Sequence, residues 1–537
     1  MLDGLATLVA APSRSRSSAT GKLFAQGEEM ICSGGHRLAA WPRMSAIARG
    51  LAMGISVTAV VACGDSSGPL AAARVSVAAA NAEPGTSSWF VPVSQRAAQT
   101  QLALWASPYA LRFGDTLDVY IHATRGPVAI TVYRMGWYGG TGGHIVYQHS
   151  GIAATAQPAC SQPFPGPVSC PWTRTLSIPV GNDWVSGIYL VKAVDQSNLA
   201  GYYPFVLTDL RPAAFVVVVP QFTWQAYNTY GGSSLYTSNQ SEDSGEVSIR
   251  SFAHFVSFER PYAANGGATY ILDDFKSHDL RDLRFLERNG YDVTYASTVD
   301  LTEASRGVPS PVKGLLFIGH DEYWTYHERS NVDEMRSRHT HLAFFSGNNA
   351  YWNIRLTPGP VTARAAAVIT CYKLDHDPDA VADSLVTTEF RMKPVDRPED
   401  ALTGIEYVVG TSSAPLQQLV VSDTAIGPEA AAFLAAAGLK AGDIIPSQIG
   451  IEGDRIIPDT STPRNLQVLF KSRIQPKFFV PYQPYYYTTF YTTPSGAGVF
   501  TAGDVEWGRG LDGFNGTKES PPLQNLMKAV LDWMLAH

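Results

Sequence analysis

Three short segments concentrate residues that can move protons or bind a metal. They are Gly319-His320-Asp321-Glu322-Tyr323-Trp324, Ser346-Gly347-Asn348-Asn349-Ala350-Tyr351-Trp352 and Gln221-Phe222-Thr223-Trp224-Gln225-Ala226-Tyr227-Asn228. Imidazole and carboxylate suit general acid–base work, phenol and carboxylate oxygens are hard metal ligands, and a carboxamide can orient a carbonyl oxygen. Each segment follows an apolar run: AAFVVVV, KGLLFI or HLAFF. In an open parallel sheet ligands bind beyond the carboxyl ends of the strands, so His320, Glu322, Tyr323, Asn348, Asn349 and Tyr351 are candidates for one rim. The same residue types have a plainer use, since Tyr and Trp fill loop-covered surface and Asn or Asp caps helices.

The elements that must position this rim are legible as patterns. Uninterrupted apolar runs indicate strands buried on both faces. RDLRFLERNGYDVTYAS reads as a helix stopped by Gly290 and then a strand. Thr325-Tyr326-His327-Glu328 offers a capping box that opens a helix between KGLLFI and HLAFF. Strand, helix and strand in repetition specify a parallel sheet with helices on its faces. GVFTAG adds a strand, and SPPLQNLMKAVLDWML adds a helix with Pro521 in its first turn and one apolar stripe, Leu523, Leu526, Met527, Val530, Leu531 and Met534. Upstream, TLDVYIHAT, VAITVYRMGWY and SGIYLVKAV alternate with period two between turn signals, the pattern of an immunoglobulin-like β-sandwich. The expected organisation is that sandwich over 91–210 and an α/β domain over 211–537.

The N-terminal 63 residues read as a leader. After Arg49 an apolar run from Leu51 to Ala62 ends at Val60-Val61-Ala62-Cys63 and is followed by GDSSG. The run is short for a membrane span, and small residues before a Cys resemble the bacterial lipobox, with Met44 as the effective start. That resemblance implies export, a lipid on Cys63 as membrane anchor, and 64–90 as a tether. Cys160 and Cys170 flank SQPFPGPVS, where an oxidising compartment favours a disulfide and a metal pair is the alternative. Cys371 is left as a lone thiol. A net charge of -7 with no basic stripe argues against nucleic acid as a partner.

GHDEYW, then a helix, then AFFSGNNAYWNIR resembles the C-terminal domain shared with the large (beta) subunit of N,N-dimethylformamidase. TWQAYNTYGGSSLY, VSFERPY, FLERNGYDVTY, GLKAGDIIPSQIGIEGDR and GVFTAGDVEW fit the same family, and YRMGWYGGTGG and NDWVSGIYLVKA are similar to its sandwich domain. The resemblance implies an α/β domain like that of class I glutamine amidotransferases. It also implies a hydrolase of small amides whose mononuclear iron is held by two Tyr and one Glu. Carried over by motif, the ligands are Tyr323, Tyr351 and Glu389, with Glu322 and Glu506 as substitutes for the Glu. His320 or Glu322 then serves as general base, and Asn348 or Asn349 orients the carbonyl oxygen.

The expectation is therefore an exported, metal-dependent hydrolase of small amides or other C–N bonds. The rival is a non-catalytic surface protein that binds a glycan or peptide on the aromatic rim. Cys371 and Ser346 lack nucleophile-elbow flanks, and Asp375-His376-Asp377-Pro378-Asp379 reads as a solvated loop before it reads as a cation site.

Overall fold

The computed structural model describes residues 75–537 apart from 164–165, 238–251, 264–277, 304, 411–415 and 477–483. The leader, Cys63 and the start of the tether lie outside the described residues. Ala71–His537 forms one compact unit.

Two antiparallel sheets come first. One has the order β1 (Leu102–Ser107), β3 (Thr116–Ala123), β6 (Leu176–Pro179). The other has the order β2 (Ala110–Arg112), β8 (Ala200–Thr208), β7 (Gly187–Val194), β4 (Val128–Met135), β5 (Gly143–Ile152), with only β2 and β8 parallel. In β3 every second side chain from Leu117 to Ala123 is buried, as the alternation predicts. β8 is buried along its whole length, lying between β1 and the next layer.

That layer is a seven-stranded sheet in the order β11 (Val293–Ser297), β9 (Phe215–Val219), β12 (Gly314–Phe317), β14 (His341–Phe344), β23 (Gly498–Thr501), β22 (Tyr485–Thr492), β21 (Gln467–Arg473). The first five are parallel and the last two antiparallel. Alternation explains the continuous apolar runs. Phe215, Val217 and Val219 join one core while Val216 and Val218 join a second on the opposite face. Helix Asp279–Arg288 ends before Gly290, which takes a φ of 74°. Helix Pro521–Ala536 buries the six stripe residues read from the sequence. Among the described residues no helix is long and apolar enough to cross a membrane.

Buried ion pairs join the antiparallel layers to the central sheet. Arg134 on β4 lies 2.8 Å from Glu287 on helix Asp279–Arg288, and both side chains are within 1 % of full burial. Glu287 also accepts the Tyr295 hydroxyl at 2.6 Å. Arg112 reaches Asp300 at 3.1 Å, and Thr208 donates to the same carboxylate at 2.6 Å.

Three smaller sheets complete the fold: β10 (Phe255–Ser257), β16 (Val368–Thr370), β15 (Trp352–Thr357), β13 (Tyr323–Thr325) in that order, β17 (Glu406–Gly410) with β20 (Glu452–Arg455), and β18 (Gln417–Val420) with β19 (Ile444–Ile449).

Candidate active site at the carboxyl edge of the central sheet

β12 and β14 are parallel neighbours, so the segments that follow them emerge side by side. The chain leaves β12 through Gly319 at a φ of 62°, where a Cβ would lie 2.5 Å from a carboxylate oxygen of Asp279. Glycine alone fits both constraints. The chain then enters β13, whose Tyr323 pairs with Trp352 of β15 in a parallel register. Part of the rim is thus a second sheet, and the carbonyl of Glu322 accepts the N–H groups of both Tyr351 and Trp352 at 2.9 Å.

Helix Gln221–Tyr227, directly after β9, braces this edge. Thr223 Oγ1 accepts the N–H groups of Glu322 at 3.0 Å and Tyr323 at 3.2 Å. Tyr227 at the end of the same helix donates its hydroxyl to Glu322 Oε2 at 2.8 Å. The Tyr236 hydroxyl lies 2.8 Å from both Glu322 oxygens, and Trp352 Nε1 donates to Oε1 at 2.9 Å. Tyr323 stands one step back, donating to the Tyr236 hydroxyl at 2.8 Å. One buried carboxylate therefore carries two phenols and an indole.

The loop between the two phenols is held from beneath by Arg260, which is fully buried. Its guanidinium donates to the carbonyls of Asn228 and Tyr230 at 2.9 Å and of Ser233 at 2.8 Å. A disulfide joins Cys160 and Cys170, and the segment it closes touches the same loop. Gln162 donates to Ser233 Oγ at 2.8 Å, and the Cys170 N–H donates to the Glu259 carbonyl, beside Arg260, at 2.9 Å.

His320 lies between two carboxylates. Its Nε2 is 3.2 Å from Glu452 Oε2 and 3.8 Å from Glu322 Oε2. Asn348, with a φ of 51°, donates its side-chain amide to Glu452 at 2.9 Å and its backbone N–H to Asp454 at 2.9 Å. Burial pushes the Glu322 carboxyl above its usual range, with His320 and Lys373 opposing the shift. Burial acts the same way on Glu452, but His320, by charge and hydrogen bond, and Asn348 more than offset it and hold that carboxyl below its usual range. The two carboxyls are thus pushed in opposite directions.

Burial first, then the charge of Glu322, raises the hydroxyls of Tyr227 and Tyr236 well above their ordinary values. Tyr236 leaves 40 % of its surface exposed, but the hydroxyl, which titrates, faces Glu322. Lys373 Nζ sits 3.6 Å above the Tyr236 ring, and burial lowers its pKa against the pull of Glu322.

The residues expected from sequence fall into three groups. His320, Glu322 and Asn348 meet at the constellation above, with Tyr323 adjoining it through Tyr236. Tyr351 and Glu389 instead both adjoin Arg391, which lies 5.0 Å from the Tyr351 ring and 3.8 Å from Glu389 and also pairs with Glu399 and Glu406. Asn349 donates to the Ser346 carbonyl at 3.0 Å and so braces the turn. Glu506 lies with Arg509, Arg281 and His278. Cys371 is buried, its thiol pushed up to about 12 by that burial. Asp377 pairs with Arg355 at 2.8 Å.

Tyr227 stands in one of the three candidate segments without an assigned role, and Tyr236, Lys373 and Glu452 are not expected at the site from sequence, although QAYNTYGGSSLY and GIEGDR stand out as motifs. Among the described residues no three His, Cys, Asp or Glu side chains are grouped to hold a metal.

No curated protein matches this chain. The family model described as N,N-dimethylformamidase beta subunit-like, C-terminal, matches residues 129–520, a span that includes Tyr227, Tyr236, His320, Glu322, Asn348 and Glu452, and the chain belongs to that family.

Proposed function

We propose that this protein is a metal-dependent hydrolase of small amides or other non-peptide C–N bonds, with Glu322, Tyr227 and Tyr236 as the metal's protein ligands. The observation that carries the reading is the Glu322 carboxylate with both hydroxyls at 2.8 Å. Two phenols and one carboxylate form the all-oxygen donor set that suits ferric iron. This assignment replaces Tyr323, Tyr351 and Glu389, because Tyr323 reaches Glu322 only through Tyr236, and the Arg391 guanidinium occupies the space beside Tyr351 and Glu389.

When bound, the ion supplies a Lewis acid and lowers the pKa of a water. The chain's own groups handle protons and orientation. Glu452, held ionised by His320 and Asn348, makes the His320–Glu452 pair the acceptor for a proton from the attacking water. Asn348 fixes Glu452, leaving that carboxylate one orientation. Lys373 places positive charge beside Glu322 and the Tyr236 ring, favouring the ionised forms that a cation requires. The buried positions of Tyr323 and Trp324, and the near burial of Trp352, argue against an aromatic platform for a glycan.

The same reading takes the central sheet as glutamine amidotransferase-like, the antiparallel layers as an immunoglobulin-like sandwich, and the protein as exported and lipid-anchored through Cys63. The Cys160–Cys170 disulfide supports export.

The test is metal analysis and visible spectroscopy of the purified protein and its variants. Near-stoichiometric iron with a phenolate-to-metal absorption, diminished in Tyr227→Phe and Tyr236→Phe and kept in Tyr351→Phe, is the expected result. Retention in the first two with loss in Tyr351→Phe would return the ligands to the Tyr351 group. A folded protein that stays colourless and metal-free after iron is supplied would remove the metal reading.

A further inference from the structure

Away from Glu322 the surface opens into a cavity of about 620 Å³ between strand β19, the 507–510 turn and the start of helix Pro521–Ala536. This is the size of a site for a small organic molecule and far larger than an inorganic ion needs. None of His320, Glu322, Tyr227, Tyr236 or Glu452 lines it. Its apolar wall includes Ile445 and Pro522, and three cationic side chains, Arg281, Arg509 and Lys518, also line it.

The charge balance is specific. Arg281 is nearly fully buried, an unusual place for a guanidinium unless an anion adjoins it. Glu506, which pairs with Arg509, lies 3.9 Å from Arg281, and Asp282 and Asp512 add further negative charge around that guanidinium. Glu519, the acid that does line the cavity, is held by Arg288 at 2.7 Å. Lys518 is exposed at the mouth. The lining therefore keeps a modest positive excess, suited to one negative charge and not to a polyphosphate. Gln448 adds a second requirement. It lines the cavity, is 6 % exposed, and its Oε1 has no hydrogen-bond partner among the described residues, while its Nε2 donates to the Pro446 carbonyl at 3.1 Å. A buried acceptor of this kind asks for a donor.

We infer that this cavity is a binding site for a small organic carboxylate bearing an apolar body and a hydrogen-bond donor. The carboxylate faces Arg509 and Lys518 with Arg281 behind them, the donor meets Gln448, and the apolar body rests on the Ile445 wall. The inference does not depend on a metal at Glu322.

N-acetyl-L-leucine carries all three features, and N-acetyl-L-leucine amide lacks only the charge. Titration calorimetry of the full chain with both probes is the experiment. The acid should bind at least about tenfold more tightly than the amide, the worth of one charge-assisted hydrogen bond. Arg509→Gln and Lys518→Gln should each weaken the acid and not the amide, while Glu322→Gln leaves both unchanged. Lys518 is exposed, so its variant stays informative if Arg509→Gln disturbs folding through Glu506. Equal binding of the two probes, no binding of either, or loss of the acid in Glu322→Gln with both cavity variants unaffected would each overturn the inference.

Discussion

Replacing Thr223 by valine removes one oxygen and almost no volume, at a position only 2 % exposed. That oxygen accepts two backbone N–H groups, from Glu322 at 3.0 Å and Tyr323 at 3.2 Å. Valine leaves both donors buried without an acceptor. A buried polar group left unsatisfied costs about 1–3 kcal/mol, so the pair sets the expected loss of stability at about 2–6 kcal/mol. Thr223→Ser keeps the oxygen and drops one methyl, a loss of about 1 kcal/mol. Urea unfolding reads the difference as a shift in midpoint at constant slope. The site should respond as well, because Thr223 shares its helix with Tyr227 and holds the backbone of Glu322: metal content should fall in the valine variant and stay near the parent's in the serine variant. Equal losses for the two variants, or a valine loss within about 0.5 kcal/mol of the parent, would refute the claim that this hydroxyl holds the edge.

Metal uptake should tighten as pH rises. Burial and Glu322 raise the Tyr227 and Tyr236 hydroxyls, so both hold their protons near neutrality and a cation must displace them; an affinity that is flat or falls between about pH 6 and 8 contradicts the ligand assignment. Glu452→Gln should lower kcat for a small amide by about 10²–10⁴-fold, the usual contribution of a general base, with metal content unchanged; full turnover in that variant removes Glu452 from proton transfer. Arg134→Met strands the buried carboxylate of Glu287 and should cost about 3–5 kcal/mol in urea unfolding. The double variant with Glu287→Leu should recover part of that loss, and no recovery would mean that packing and not charge governs the joint.

The parts of the fold that bury apolar side chains in a regular rhythm were legible in the sequence. The Phe215–Val219 run and the stripe from Leu523 to Met534 leave one physical option each, a strand covered on both faces and a helix covered on one. The rim was less legible. Helix Gln221–Tyr227 is two turns of polar and aromatic residues without a solvent-facing side, so no stripe announces it. Strand β13 is three residues long, too short for alternation to register. The pairing of Tyr227 and Tyr236 with Glu322, and of His320 with Glu452, depends on how the 228–236 loop folds back and on the long-range pairing of β20 with β17. No local spacing encodes that return, and the family motifs GHDEYW and GNNAYW point instead to Tyr323 and Tyr351.

On the proposed metal reading, the 160–170 disulfide sets an order for the maturation of the protein. The segment it closes touches Ser233 and the backbone beside Arg260, so it buttresses the loop that carries both proposed phenolic ligands. Without the cross-link the loop keeps Arg260 and its own hydrogen bonds, Leu235 to Ala226 and Asn228 to Pro261, but loses a covalently closed neighbour. On that reading, oxidation then precedes efficient metal capture. A polypeptide crossing into an oxidising compartment would acquire its ion there, from the supply on that side of the membrane, and material made in a reducing cytosol would emerge as a folded chain with a poorly loaded centre.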